Sequence, residues 1–296
     1  MRKKEVFTGV ATALITPFLN GEIDYPSLAM LIDRQIDAGV GTLVIGGTTA
    51  EAAVLSDDER YALYSFTRGY IGGRAKIIFG TGTNDTRVAI AHTKFAQELG
   101  CDGVLLVTPY YNKGTELGIE KHYLNIAECT DLPIILYNVP SRTGVNMGIN
   151  LLERLADHPN IVGIKEASDS IDRLVLLAAF GDNLHLYSGN DSQIYPTLAL
   201  GGRGVISVMS NIIPKTADQL CKDYFDGKHK EALDLQIKLL PFIRTLFLET
   251  NPSPIKYAMS TLGLCSPEVR LPLAEPREST KEAILHSLNL LADLRQ

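Results

Sequence analysis

The chain has 296 residues, 45% hydrophobic and 21% charged, an ordinary balance for one large α/β domain or two small ones. Its formal charge is 28 − 34 = −6, with no block of like charge, which argues against nucleic acid and anionic membrane as partners. The four cysteines (Cys101, Cys129, Cys221, Cys265) are far apart and form no CxxC, so neither a metal site nor a disulfide framework is expected, and a reducing cytoplasm fits.

At the N-terminus, Arg2-Lys3-Lys4 precedes an apolar stretch, and Ala11-Thr12-Ala13 imitates a signal-peptidase site. Only Val6 to Val10 lie between, interrupted by Thr8 and Gly9, which is too short for a secretory core and reads as a first strand. No stretch approaches the ~18 apolar residues of a membrane helix. Strand-like runs then recur near residues 8–15, 41–46, 75–80, 103–107, 133–137, 161–165, 184–188 and 203–208. Helical patterns separate them. Residues 26–38 follow Asp24-Tyr25-Pro26 with Leu28, Leu31, Ile32 and Ile36 at helical spacing and Gly39 as a stop. Ser56-Asp57-Asp58-Glu59 reads as a capping box, and Asp85-Thr86 opens a helix that closes at Gly100. Ile149-Asn150, Ser170 and Asn190-Asp191 are expected to open later helices.

Eight strands alternating with helices predict a closed parallel (β/α)8 barrel, that is, a TIM barrel of the α/β class. A doubly wound open sheet is the alternative, but its GxGxxG turn is missing, since Gly80-Thr81-Gly82 lacks the third glycine. After about residue 210 the strands stop. Helices are expected over 214–229, 230–248, 253–262 and 278–294, punctuated by Pro241, Pro252, Pro254, Pro267, Pro272 and Pro276. This divides the chain into a barrel at 1–224 and a C-terminal helical extension at 225–296, with no long linker.

Barrel chemistry sits at the carboxyl ends of the strands. The sixth run, Ile161-Val-Gly-Ile-Lys-Glu166, is apolar on both faces and ends in Lys165, with Gly163 leaving room on the same face. A lysine desolvated there loses its proton more readily and becomes a nucleophile towards a carbonyl. The plain alternative is a stem lying across apolar surface with its head in water. Other strand ends supply Thr48 and Thr49, Tyr110-Tyr111-Asn112, Tyr137 through Arg142 to Gly144, and Ser188-Gly189-Asn190-Asp191. Alternation puts Ile135 and Tyr137 on one face, and so Tyr137 inside beside Lys165. Singly, each has a bland reading as barrel filler, turn or solvated loop. An amine, a phenol, hydroxyls and a guanidinium on one rim together point to carbonyl chemistry.

Gly47-Thr48-Thr49, Thr108-Pro-Tyr-Tyr-Asn112, Tyr137-Asn-Val-Pro-Ser-Arg-Thr-Gly144, Gly163-Ile-Lys-Glu-Ala-Ser168, Gly204-Val-Ile-Ser-Val208 and Asn251-Pro252 resemble the dihydrodipicolinate synthase family. That family belongs to the pyruvate-dependent class I aldolases, which include N-acetylneuraminate lyase. The resemblance runs from about Val6 to the last helix. It implies condensation of pyruvate with aspartate semialdehyde in lysine and cell-wall precursor synthesis, without a cofactor, in a homo-oligomer that is usually a tetramer built as a dimer of dimers. It assigns Lys165 as the Schiff-base lysine, Tyr137 as the proton-relaying phenol, and Thr48 as its link to Tyr111 from the neighbouring subunit. It also assigns Thr49 to the pyruvate carboxylate, Arg142 to the second substrate's carboxylate, Gly189 and Ile206 to the pocket backbone, and Asn251 to a helper role. A sister aldolase acting on another 2-oxo acid or sugar acid, and a non-catalytic 2-oxo-acid sensor, are the other readings. Two departures stand out: the family's GTTGE reads Gly47-Thr-Thr-Ala50-Glu51, where a need for positive φ at Ala50 would carry a cost, and Gly114 replaces a proline. Lysine-inhibited relatives use a histidine and a glutamate where Arg60 and Val88 stand here, which predicts insensitivity to lysine although Asn84 and Tyr110 remain.

Overall fold

The computed structural model describes residues 3–291. Eight parallel strands close into a barrel: Gly9–Ala13, Thr42–Ile45, Lys76–Gly80, Gly103–Val107, Ile134–Asn138, Ile161–Glu166, His185–Ser188 and Gly204–Ser207. Each of the eight expected runs holds a strand. The strands are rich in Ile, Val and Leu and, Lys76 and Val107 apart, buried along their whole length, as parallel strands covered on both faces require. A two-stranded ribbon, Phe18–Leu19 with Glu22–Ile23, follows the first strand.

The chain divides into two compact units, one of Met1–Thr8 with Lys76–Ile206 and one of Gly9–Ala75 with Ser207–Gln296. In the first, the third to the eighth strands pair in sequence order. The fifth and sixth strands pair Ile134 with Ile161, but the next pair is Ile135 with Gly163, so the sixth strand gains one residue. That bulge moves every later side chain of the strand to the other face relative to its neighbour. Its result is the pair Tyr137 and Lys165, followed by Asn138 and Glu166.

In the second unit, the helix Asp57–Ile71 starts in the expected capping box: Glu59 N donates to Ser56 Oγ (3.2 Å) and Ser56 N to Glu59 Oε2 (2.9 Å). After the last strand come Pro214–Phe225, His229–Thr245, Ser253–Thr261 and Glu278–Leu290. Pro241 does not interrupt the second of these, and the helix runs on to Thr245, whose Oγ1 donates to the Pro241 carbonyl (2.9 Å). The expected end of the last helix, 292–294, lies outside the described residues.

Two more of the expected helix starts carry a side-chain cap. Asp85 accepts from Arg87 N and Ser170 from Arg173 N. The helix Ile149–Ala156 starts where expected, at Ile149, but the residue before it is Gly148, which has no side chain to cap with. Asn190 precedes a 3-10 turn and spends its amide on Ser168 O and Gln193 Oε1. Among the described residues no helix is long and apolar enough to cross a membrane, and no disulfide joins the cysteines.

Candidate active site

Lys165 is the penultimate residue of the sixth strand and only 6% exposed. Its Nζ lies 4.3 Å from the centroid of the Tyr137 ring, which the bulge has brought level with it on the fifth strand. Burial lowers the Lys165 ammonium to a pKa of about 7; the Asp191 carboxylate pulls it up and the Arg142 guanidinium pushes it further down. The result is an amine substantially unprotonated at neutral pH, lying against a phenol ring and able to add to a carbonyl.

Gly163 does leave room on the lysine's face, but a ring takes it. A Cβ there would lie 2.9 Å from His185 O and 3.0 Å from the edge of Tyr187. Tyr187 stacks on Phe7 (4.3 Å between centroids), and its hydroxyl donates to Phe7 O (2.9 Å), so the barrel floor under Lys165 is solid.

The residues following the pair are wired together away from water. Asn138 Nδ2 donates to both oxygens of Glu166 (2.9 and 3.0 Å) and to Asn146 Oδ1 (2.8 Å). Glu166 also accepts from Arg173 Nε (2.7 Å) and Ser168 N (2.9 Å), while Asn138 Oδ1 accepts from Met147 N (3.1 Å). A fully buried carboxylate thus finds one guanidinium and two further donor groups, which is what makes its burial tolerable. Since Asn138 and Glu166 are joined covalently to Tyr137 and Lys165, the network fixes the strand ends that carry the amine and the phenol.

Around them, Arg142 sits exposed in the short helix Pro140–Thr143, within electrostatic reach of Lys165. Gly189 directly follows the seventh strand, where its N–H donates to Glu166 O (2.6 Å) and a Cβ would come within 2.6 Å of Ala167; no larger residue fits. Ile206 is fully buried in the eighth strand. Asp191, named in the sequence only as part of a strand end, is a buried carboxylate acting on Lys165, a role its sequence position alone does not assign. Tyr111 is not drawn into this cluster. It is 82% exposed and has φ +72°, a left-handed conformation that a non-glycine residue adopts rarely.

In the second unit, Thr48 and Thr49 form a 3-10 turn, Thr48–Ala50, after the second strand. Thr49 is buried and its Oγ1 accepts from Asn251 Nδ2 (3.0 Å), which brings together two of the predicted residues. Ala50 lies within the turn at no cost; the positive φ falls on Glu51, at +57°. Among the described residues no group of three or more His, Cys, Asp or Glu could hold a metal ion.

Comparison with known proteins adds to this geometry. The profile of the dihydrodipicolinate synthetase family matches residues 6–290. The 4-hydroxy-tetrahydrodipicolinate synthase of Thermotoga neapolitana is 46% identical over 284 residues, covering 94% of this chain and 97% of its own. The enzyme of the same name from Clostridium novyi is 43% identical, covering 96% of each. The crystal structure of dihydrodipicolinate synthase from Thermotoga maritima superposes with a TM-score of 0.94 at 42% identity, covering 98% of this chain and 99% of that one.

Proposed function

The chain belongs to the dihydrodipicolinate synthetase family, and we propose from that premise that it condenses pyruvate with L-aspartate 4-semialdehyde to give 4-hydroxy-tetrahydrodipicolinate. The observation that carries the reading is Lys165: a buried amine, with a pKa of about 7, lying on the ring of Tyr137. The Lys165 amine adds to the keto carbon of pyruvate and water leaves, giving an imine. The imine draws electrons from the methyl group, so a methyl proton is lost and the enamine forms. The enamine carbon attacks the aldehyde and the new alkoxide takes up a proton, which leaves the chain as an imine on Lys165; the amino group of the former aspartate semialdehyde then adds to the imine carbon and displaces the Lys165 amine, closing the ring and restoring the free amine.

The remaining roles rest on the family resemblance. Tyr137 relays the protons, through Thr48 and Tyr111 of a neighbouring subunit, and a positioned relay contributes roughly 10²–10⁴-fold. Thr49 takes the pyruvate carboxylate with Asn251 holding its hydroxyl, Arg142 meets the carboxylate of the second substrate, and Gly189 and Ile206 offer backbone to the pocket. We place the enzyme in the cytoplasm as a homo-oligomer, a dimer of dimers, with residues 225–296 as an extension of the barrel. The exposure and the left-handed backbone of Tyr111 support a role across an interface.

Borohydride reduction in the presence of pyruvate should add one adduct mass, at Lys165, and none in Lys165→Ala. A coupled assay with aspartate semialdehyde then separates the synthase from a sister aldolase. An adduct that survives Lys165→Ala removes the lysine from the mechanism. An adduct in wild type without turnover of aspartate semialdehyde assigns the chain to another aldehyde.

A further inference from the structure

The most deeply buried ion pair among the described residues lies outside the chemistry above. Lys256 Nζ stands 2.5 Å from Glu51 Oε1, and both side chains are completely shielded from solvent. The second oxygen of Glu51 accepts from Arg270 N (2.9 Å). The lysine donates also to Glu268 O (2.8 Å) and lies 4.1 Å over the ring of Phe18. Every partner of Glu51's carboxylate therefore comes from the stretch between Ser253 and Arg270, some 200 residues along the chain.

Glu51 is also where the threonine turn ends. Its N–H donates to Thr48 O (3.0 Å) with φ at +57°, so the turn closes through a left-handed residue that is not glycine. Such a conformation persists where the surroundings impose it, and here the surroundings are the buried lysine and the Arg270 amide. Two residues before this stretch, Asn251 Nδ2 donates to Thr49 Oγ1. Two successive parts of the turn, Thr49 and Glu51, are thus tied to one C-terminal segment. A buried ion pair is seldom the best device for stability, because neutral residues of similar shape do as well or better. What it supplies is a fixed geometry.

We infer that Glu51 and Lys256 are positioning residues: their ion pair holds the Thr48–Thr49 turn in the shape that receives the substrate carboxylate. The inference rests on the proposed reading, in which Thr49 binds pyruvate. It predicts a selective defect. Loosening the turn weakens pyruvate, whereas aspartate semialdehyde, met by Arg142, is unaffected.

The test is the double variant E51Q/K256M, which removes both charges at nearly constant volume and leaves no lone buried ion. Melting temperature, kcat and the KM of each substrate are measured, with borohydride trapping of pyruvate as a direct measure of imine formation. The expected result is a melting temperature close to wild type, a KM for pyruvate raised tenfold or more, a matching rise in the pyruvate concentration needed for trapping, and a KM for aspartate semialdehyde within twofold of wild type. Should E51Q/K256M not fold, E51G/K256M makes the same comparison with a residue that adopts positive φ freely. A lower melting temperature or a lower kcat with unchanged KM for pyruvate would reduce the pair to scaffolding and overturn the inference. Absence of a pyruvate adduct in wild type would instead overturn the proposed function, and this inference with it.

Discussion

The charge state of Lys165 is the property on which the proposed chemistry turns. An ordinary lysine, with a pKa near 10.5, has about 3 × 10⁻⁴ of its molecules as free amine at pH 7, whereas one at about 7 has about half. Burial therefore raises the reactive fraction roughly 10³-fold, and only the unprotonated form adds to a carbonyl. Two charges trim the value in opposite directions: Asp191 raises it and Arg142 lowers it. Asp191→Asn should bring the midpoint down, since the variant removes the carboxylate that favours the ammonium. Arg142→Met should move it above 7. The assay is the initial rate of borohydride trapping with saturating pyruvate from pH 5 to 9.5, followed by mass spectrometry of the Lys165 peptide. Trapping in wild type should rise with pH to half its plateau near 7. A wild-type midpoint above 9 would show that the amine is solvated. Coincident midpoints for wild type and Asp191→Asn would remove Asp191 from the site.

Tyr137→Phe should still form the pyruvate imine but turn over about 10²-fold or more slowly, since the ring stays and only the relaying hydroxyl is lost; wild-type turnover would remove the phenol from the mechanism. If Tyr111 completes a neighbour's site, mixing inactive Lys165→Ala with inactive Tyr111→Phe subunits should restore activity through reciprocal sites. A verified mixed oligomer without activity would confine Tyr111 to its own chain. Lysine up to millimolar concentration should leave the initial rate unchanged. Arg60 is buried and donates to Ala52 O (2.6 Å), Val88 offers no acceptor, and losing a charge-assisted contact of ~1.5–3 kcal/mol weakens binding roughly 10–150-fold. Half-inhibition below about a millimolar would refute that expectation.

Much of this molecule is written locally. The eight strands were legible because residues buried on both faces are apolar at consecutive positions, and Ser56-Asp-Asp-Glu59 was legible because a capping box is a contact between residues three apart. The start at Ile149 was legible too, although no capping contact marks it, because Gly148 before it has no side chain. Lys165 stood out because a cation at the end of an apolar run has few ordinary explanations. Asp191 and Glu166 did not, because a carboxylate in a loop or at a strand end reads the same whether it is solvated or buried.

Alternation alone put Tyr137 inside, but it could not say that Tyr137 lies opposite Lys165. Continued from the pairing of Ile134 with Ile161, the fifth and sixth strands would set Tyr137 against Ile164; the extra residue of the bulge moves Lys165 into that place. The turn needs no positive φ at Ala50; the positive φ falls on Glu51, whose carboxylate pairs with Lys256, 205 residues away. Sequence by itself determined the period of each element, since period follows from which face is apolar. Tertiary structure decided the register of the strands, the partner of each buried charge and the pKa of Lys165, since desolvation and pairing depend on groups that only folding brings within a few ångströms.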